Sequence, residues 1–88
     1  MKIQFRASFA KDLRSIKNKD LLNRIKETIE QVEKALTPQD ITNLKKLRGG
    51  INYYRLRVGE YRIGLTIKSD TVTFVRCLNR KEIYRYFP

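Results

Sequence analysis

The sequence predicts an α+β fold in which two N-terminal helices pack on one face of an antiparallel sheet. The predicted order is β-α-α-β-β-β, followed by a short C-terminal helical turn. Two patterns support this class: apolar residues recur every three or four positions in the first half of the chain, and they alternate with polar residues in the second half. A helix stripe and a sheet face of this kind bury each other. The chain has 88 residues, so we expect a single domain over residues 1–88.

The first half contains the short strand and the two helices. Ile3 and Phe5 alternate with polar neighbours and predict the strand, and Ser8 is then the expected N-cap of the first helix. The apolar face of that helix consists of Phe9, Leu13 and Ile16. A second helix is predicted from about residue 21 to residue 36, ending before Pro38 because proline disfavours helical geometry in the preceding residue. Its apolar stripe consists of Leu22, Ile25, Ile29, Val32 and Leu36. A loop is expected to follow to about Leu44.

A tight hairpin is the clearest feature of the second half. Gly59-Glu60 fits a two-residue turn with glycine at the first central position, where a positive φ is needed. Counting outward from this turn places Arg57 directly opposite Arg62, with Arg55 on the same face of the sheet. Like charges facing each other across strands cost roughly 0.2–1 kcal/mol. Two arginines kept in these positions therefore predict an anion between them, and a phosphate is the obvious candidate.

Residues 53–78 predict a three-stranded meander with a second turn at Ser69-Asp70. The face that matches the helices is apolar and consists of Leu56, Val58, Ile63, Leu65, Ile67, Val72 and Phe74. Strand alternation, continued through the second turn, also places Arg76 on this helix-facing side. That position predicts either an ion pair with an acidic residue of a helix or a local bulge, and the alternation alone does not choose between them.

The charge of the chain is strongly positive and unevenly distributed. Lys and Arg number 20 against 9 Asp and Glu, giving a formal net charge of +11. Residues 45–88 hold eleven basic and three acidic side chains, so most of the excess lies around the hairpin and the C-terminal segment. A basic surface of this kind predicts a nucleic-acid partner.

Several other classes of function are disfavoured by composition. The N-terminal residues form no apolar signal segment, and no run approaches the roughly 18 apolar residues of a membrane span, so we expect a cytoplasmic protein without membrane contact. Cys77, the single cysteine, lies in an apolar strand and is expected to be a core thiol. The chain has no histidine and its carboxylates are scattered, so neither a metal site nor a cofactor is predicted, and imidazole acid–base chemistry is excluded.

Four segments in order resemble the RelE/ParE superfamily of bacterial toxins, and the resemblance covers nearly the whole chain. They are Lys46-Leu-Arg-Gly, the strand from Tyr54 to Val58, Gly59-Glu60-Tyr61-Arg62-Ile63, and the ending Asn79-Arg80-Lys81-Glu82-Ile83-Tyr84 with Phe87-Pro88. The resemblance implies the RelE-like fold and a type II toxin that a cognate antitoxin wraps and neutralises in a toxin–antitoxin hetero-oligomer. RelE-like members cleave messenger RNA in the ribosomal A site, whereas ParE-like members poison DNA gyrase, so the target has to be argued from the site.

The resemblance to RelE-like ribonucleases also implies which residues act. The expected catalytic residues are Arg55, Arg62, Arg80 and Tyr84, and the expected RNA-phosphate ligands are Arg57, Lys46, Arg48 and Lys81. The best-known RelE pattern has lysines at the positions of Arg55 and Arg57, one of them assigned as general base, but arginine hardly ever gives up its proton. We therefore expect both arginines to clamp phosphate. Tyr84 would stack on a base or transfer a proton, and stacking is the favoured role.

These expectations favour a ribosome-dependent endoribonuclease that acts on messenger RNA and inhibits translation. Its acid–base equipment is weak, so the ribosome would have to align the RNA for cleavage, and naked RNA would be cut slowly. Two alternatives remain open from the sequence: a ParE-like gyrase poison, which would need the basic surface but not the set of site residues, and a non-catalytic RNA-binding module using the same arginine face.

Overall fold

The computed structural model describes residues 1–88 and contains five strands and three α-helices. In chain order they are β1 (Lys2–Phe5), α1 (Ala7–Arg14), α2 (Lys19–Lys34), β2 (Leu44–Lys46), β3 (Tyr53–Val58), β4 (Tyr61–Lys68), β5 (Thr71–Asn79) and α3 (Arg80–Tyr86). A 3₁₀ turn at Pro38–Asp40 separates α2 from β2. The α+β class predicted from the sequence is confirmed, and the predicted elements follow in the predicted order, with one additional strand, β2. None of the helices is both long enough and apolar enough to cross a membrane.

The five strands form one sheet in the order β1-β5-β4-β3-β2. The meander of β3, β4 and β5 is antiparallel, as predicted, and β2 adds to it antiparallel beside β3. β1 instead pairs parallel with β5, so the sheet is mixed and not wholly antiparallel. Parallel neighbours require a long connection, which the rest of the chain supplies here.

The strand β2 was not predicted, because its three residues lie where the sequence indicates a loop. Three residues are too few to show an alternating pattern. Pairing with β3 nevertheless fixes its register, with Lys45 opposite Arg55 and Lys46 opposite Tyr54. Consecutive strand residues point to opposite faces, so these two lysines belong to different sides of the sheet.

The first helix begins at Ala7, two residues earlier than expected, and the predicted N-cap is wrong. Arg6 is the N-cap and provides no side-chain hydrogen bond. Ser8 lies inside the helix, where its hydroxyl donates to the carbonyl of Val75 at 2.6 Å. This hydrogen bond ties α1 to β5 instead of capping α1, and local sequence carries no signal for such a distant partner.

The second helix ends two residues earlier than the apolar stripe predicts. Its start is capped by Asn18, whose side-chain oxygen accepts from the backbone N–H of Leu21 at 3.1 Å. The helix stops at Lys34 because Ala35 adopts an extended conformation. Leu36, predicted to continue the buried stripe, is 84% exposed as a result.

The core lies between the two N-terminal helices and one face of the sheet. All the apolar sheet residues predicted for this face are buried, together with Phe9, Ile25 and Val32 from the helices. Cys77 is also buried in this core, as expected. Burial, with a smaller contribution from the nearby charge of Asp12, raises the pKa of its thiol to about 12.

The two alternatives raised for Arg76 both occur. Gly64 pairs with Arg76 and Leu65 pairs with Phe74, so Val75 is an extra residue that forms a β-bulge in β5. The bulge gives the helix-facing position to Cys77 and turns Arg76 to the other side. The guanidinium of Arg76 still reaches Asp12 of α1, donating from Nε at 2.8 Å and from Nη2 at 3.2 Å. This hydrogen-bonded ion pair raises the pKa of Arg76.

The C-terminal helix packs on the second face of the sheet, opposite α1 and α2. Ile83 and Phe87 are buried there and lie outside the main core. Phe87 covers Gly64, since a Cβ atom at Gly64 would come within 2.6 Å of the Phe87 ring. The same ring and the Tyr53 ring form a T-shaped pair with a centroid distance of 5.6 Å. The predicted C-terminal turn is therefore a docked helix that brings its own side chains next to the arginines.

Candidate functional site

A cleft of about 360 Å³ opens on the second face of the sheet, between β2, the β3–β4 hairpin and α3. We call it the arginine cleft. Its lining consists of Asn43, Leu44, Lys45, Arg55, Arg57, Arg62 and Tyr84. A larger depression, of about 640 Å³, lies beside the end of α2, but its charged lining is mainly acidic and includes Glu27, Glu30 and Asp40. The charge of the arginine cleft suits a phosphate, and that of the larger depression does not.

The β3–β4 hairpin positions the arginines of the cleft in the predicted register. The turn has its glycine at φ 59°, the left-handed conformation that Gly59 adopts without a steric penalty. Arg57 lies directly opposite Arg62, and Arg55 lies opposite Gly64. Because Gly64 has no side chain, the space opposite Arg55 is filled from α3 and not from β4.

Two of the guanidinium groups are held by neutral acceptors. Arg62 donates from Nη1 to the carbonyl oxygens of Gly59 and Tyr61, each at 2.9 Å. Arg57 donates from Nη2 to the side-chain oxygen of Asn43 at 3.4 Å. A guanidinium has five N–H donors, so both groups keep free donors for a ligand.

No carboxylate neutralises these arginines. The ion pairs of the structure are Arg76 with Asp12 and Arg80 with Glu60, and neither includes a residue that lines the cleft. The cleft therefore concentrates uncompensated positive charge on a small surface, which attracts a polyanion.

Tyr84 closes one side of the cleft and stacks on Arg55. The guanidinium carbon of Arg55 lies 4.5 Å from the centroid of the Tyr84 ring, a cation–π geometry. The tyrosine side chain is nevertheless 65% exposed, so a nucleobase has access to the ring. This contact joins the hairpin to α3 within the site.

Four of the eight predicted site residues thus line one cleft: Arg55, Arg57, Arg62 and Tyr84. Arg80 does not line this cleft: its Nε is 3.2 Å from a carboxylate oxygen of Glu60, and its backbone N–H donates to the Glu60 carbonyl at 2.9 Å. Both side chains are largely exposed, so this pair is weak and opens easily. Lys81, on α3, is exposed and does not line the cleft.

The remaining two predicted residues border a neighbouring depression of about 460 Å³. Lys46 and Arg48 line it, and it shares Lys45, Arg55 and Tyr84 with the arginine cleft. The backbone position of Lys46 is on the helix-facing side, opposite Tyr54, and its side chain also borders a groove there. The two residues therefore flank the cleft and do not line it.

Sequence reasoning missed Lys45, which lines the arginine cleft and lies opposite Arg55 in the β2–β3 pairing. The signal was present only as two adjacent lysines in a segment interpreted as a loop. Deciding which of them points to the cleft requires the pairing register of β2, which three residues cannot indicate on their own.

The comparisons with known proteins agree on the family. Residues 3–84 match the family described as the ParE toxin of the type II toxin–antitoxin system parDE. The chain is 44% identical over 89 aligned residues to Toxin RelE3 of Methanocaldococcus jannaschii, covering 100% of both chains. The chain therefore belongs to the RelE/ParE superfamily of toxins from type II toxin–antitoxin systems, as the resemblance predicted. Within this superfamily it is a RelE-like toxin.

Solved structures agree with this assignment. A chain in the RelB–RelE antitoxin–toxin complex from Methanococcus jannaschii is 41% identical, with a TM-score of 0.79 and coverage of 97% of this chain and 99% of that chain. A chain in the archaeal RelE–RelB complex from Pyrococcus horikoshii OT3 is 22% identical and has the same fold, with a TM-score of 0.73 and coverage of 90% and 93%. The family carries the ParE name and these relatives carry the RelE name, so the target of the toxin is argued from its site.

Proposed function

We propose that this toxin is a ribosome-dependent endoribonuclease that cuts messenger RNA in the ribosomal A site and so inhibits translation. The observation that carries the proposal is the arginine cleft, in which uncompensated guanidinium groups surround an accessible tyrosine ring. A scissile phosphate between Arg57 and Arg62 would accept hydrogen bonds from both. The base next to it would stack on Tyr84.

The cleft suits the charge that develops during RNA cleavage. When the 2′-hydroxyl oxygen attacks the neighbouring phosphorus, negative charge builds up on the phosphoryl oxygens. Guanidinium groups offer planar, permanently charged donors for these oxygens. Removing one preorganised donor of this kind typically slows an enzyme by about 10²–10³-fold. Arg62 is the best-held donor, because two backbone carbonyls fix its orientation.

Dependence on the ribosome follows from the small number of groups in the cleft that can exchange a proton, which are Lys45 and Tyr84. Most of its polar lining is arginine, which aligns and stabilises but does not exchange protons. Proton transfer supplies about 10²–10⁴-fold, whereas alignment of reacting groups contributes roughly 7–11 kcal/mol. A site of this kind gains most when another body bends the RNA into the reactive geometry, and the ribosomal A site does this for a codon.

We also propose that a cognate antitoxin neutralises the toxin in a hetero-oligomer. The similar RelE chains occur in complexes named for RelB and RelE. The basic cleft has no acidic partner of its own, so an antitoxin segment with acidic and apolar side chains would fit it. Equal cleavage by the isolated toxin and by the complex would contradict this part of the proposal.

A gyrase poison is the second candidate, favoured by the ParE description of the matching family. It would use the basic surface without needing the Arg57–Arg62 pair or the stacked tyrosine. A non-catalytic RNA-binding module would use the same arginines but would leave the RNA intact.

Primer extension on messenger RNA in a purified translation system, with and without ribosomes, tests the proposal. Wild-type toxin should produce cuts within codons only when ribosomes are present, and Arg62→Ala and Arg80→Ala should lose them. Arg14→Ala is the matched control, because Arg14 is exposed on α1 and far from the cleft in the fold. Wild-type toxin that gives no cuts but blocks gyrase-dependent supercoiling would replace this proposal with the gyrase candidate.

A further inference from the structure

The short strand β2 brings one lysine into the arginine cleft. Lys45 lies opposite Arg55 in the β2–β3 pairing, and paired residues point to the same face of the sheet. Lys45 lines the cleft together with Arg57, Arg62 and Tyr84. Its side chain is exposed, and it has neither an ion-pair partner nor a side-chain hydrogen bond. The ammonium group is therefore free to reach a ligand.

Lys45 is one of the few residues lining the cleft that can exchange a proton. Asn43 and Leu44 have no ionisable group, and the three arginines keep their protons under all ordinary conditions. Only Lys45 and Tyr84 can exchange a proton. The Tyr84 ring is stacked on the guanidinium of Arg55, which suits it for holding a base by stacking. Lys45 has no competing contact.

We propose that Lys45 is the proton donor to the leaving 5′-oxygen in the RNA cleavage proposed above, on which this inference rests. The leaving alkoxide is the group most in need of a proton, and an ammonium group already holds one at neutral pH. The position of Lys45 across from Arg55 places this donor beside the phosphate-binding arginines. The site thereby gains a general acid that its arginines cannot provide.

The 2′-oxygen attacks phosphorus, and the bond between phosphorus and the 5′-oxygen breaks. Solvent water takes the proton of the 2′-hydroxyl, and Nζ of Lys45 gives one proton to the departing 5′-oxygen. The products are a 2′,3′-cyclic phosphate and a 5′-hydroxyl end. The neutral amine of Lys45 then takes a proton from solvent, so the enzyme returns to its starting state.

Two substitutions separate proton donation from positive charge. Lys45→Ala removes both, whereas Lys45→Arg keeps the charge but cannot release a proton. We expect each to slow cleavage on ribosomes by about 10²–10⁴-fold. Neither substitution should unfold the protein, because the Lys45 side chain is exposed and has no ion-pair partner. The matched control is Lys68→Ala, at the exposed end of β4, which should cleave like wild type.

A substrate with a sulfur atom in place of the bridging 5′-oxygen gives the decisive measurement. A thiolate leaves without being protonated, so its departure needs no general acid. On programmed ribosomes that carry this substitution at the cleaved bond, Lys45→Ala should cut within a few-fold of the wild-type rate. On the ordinary oxygen substrate the same variant should stay slow.

Three results would overturn the assignment. They are a wild-type rate for Lys45→Ala, a wild-type rate for Lys45→Arg, and an equal loss for Lys45→Ala on the sulfur and oxygen substrates. Failure of the endoribonuclease proposal looks different, because wild-type toxin would then cut neither substrate on ribosomes.

Discussion

The two faces of the sheet are built from alternate residues of the same strands, yet one face is the buried core and the other carries the arginine cleft. Along β3 the helix-covered face carries Leu56 and Val58, both buried, while the residues between and beside them are the arginines of the cleft. No polar or charged residue is buried anywhere in the structure. A two-residue period lets one hairpin carry core residues on one face and the arginines of the cleft on the other.

The separation of core residues from cleft residues is incomplete at one place, where α3 lies on the basic face of the sheet. There Phe87 covers Gly64 of β4 and holds the helix that carries Tyr84. A change at this contact should affect stability and activity together. Substitutions on the two faces and at this contact therefore test how far the separation extends.

Phe74→Ala should have the largest effect, and it should be on stability alone. Phe74 is fully buried on the helix-covered face, stacks on Phe5 at a centroid distance of 5.2 Å and packs at a tilt against Phe9 at 5.4 Å. Deleting a buried phenyl ring costs about 3–5 kcal/mol. Urea unfolding should show this loss, while cleavage per folded molecule stays at the wild-type rate. A variant of normal stability would contradict the assignment of this face to the core.

Arg55→Ala should lower cleavage strongly and stability only slightly, the opposite of Phe74→Ala. We expect cleavage on ribosomes to fall by about 10²-fold, because the cleft loses a phosphate donor and the cation that orients Tyr84. The loss of stability should stay within about 1 kcal/mol, the scale of an exposed cation–π contact. Thermal melting and primer extension on the same preparation measure both. A large drop in stability with normal cleavage would show that Arg55 serves the fold.

Gly64→Ala should lower both stability and cleavage. A Cβ atom at this position would overlap the Phe87 ring, so the ring and α3 must shift. Overpacking of this kind costs about 1–3 kcal/mol. Cleavage should fall as well, because α3 carries Tyr84. Denaturant unfolding and ribosome-dependent cleavage provide the two readouts. Normal cleavage in a destabilised variant would mean that the cleft tolerates movement of α3.

The pH dependence of stability tests whether the Cys77 thiol is buried on the helix-covered face. The pKa of Cys77 is raised from its ordinary value of 9.0 to about 12 in the folded protein, so the unfolded chain loses this proton first as the pH rises. Stability should therefore fall between pH 9 and 12, with a contribution of up to about 1.4 kcal/mol per pH unit from this thiol. Cys77→Ala should have a flatter slope in the same range. Identical slopes for the two proteins would contradict the burial of the thiol.

Tyr84→Phe should have the smallest effect. If Tyr84 acts by stacking, the phenyl ring keeps that contact and cleavage should change by less than about threefold. A loss near the 10²–10⁴-fold range of proton transfer would assign the hydroxyl an acid–base role. Single-turnover cleavage on programmed ribosomes distinguishes the two outcomes. Tyr84→Ala, which removes the ring, is the matched comparison.

Much of the fold could be predicted because its signals are local. The turn at Gly59-Glu60 fixes the hairpin register, and with it the pairing of Arg57 with Arg62 that the structure confirms. The apolar stripes that predicted the two helices are also local signals, because they recur every three or four residues. Together these signals predicted the class, the meander and the three arginines that line the cleft. Tyr84, the fourth predicted residue in the lining, was implied by the family resemblance.

The features that were missed depend on distant partners. The strand β2 exists because β3 offers it a pairing edge, and only that pairing selects Lys45 over Lys46 for the cleft. The hydroxyl of Ser8 finds the Val75 carbonyl across the fold and does not cap its own helix. Arg80 contacts Glu60 of the hairpin turn through its Nε and its backbone N–H, and it does not line the cleft. None of these contacts leaves a periodic mark in the sequence.

The bulge at Val75 sets the phase of the sheet. Before it, the even-numbered residues Val72 and Phe74 face the core, and after it the odd-numbered Cys77 does. If Val75 were paired like its neighbours and the bulge were lost, the inward and outward positions of residues 76–79 would be reversed, with Arg76 in the core and the cysteine on the basic surface. The bulge in β5 is therefore as much a determinant of the toxin as the chemistry of its side chains.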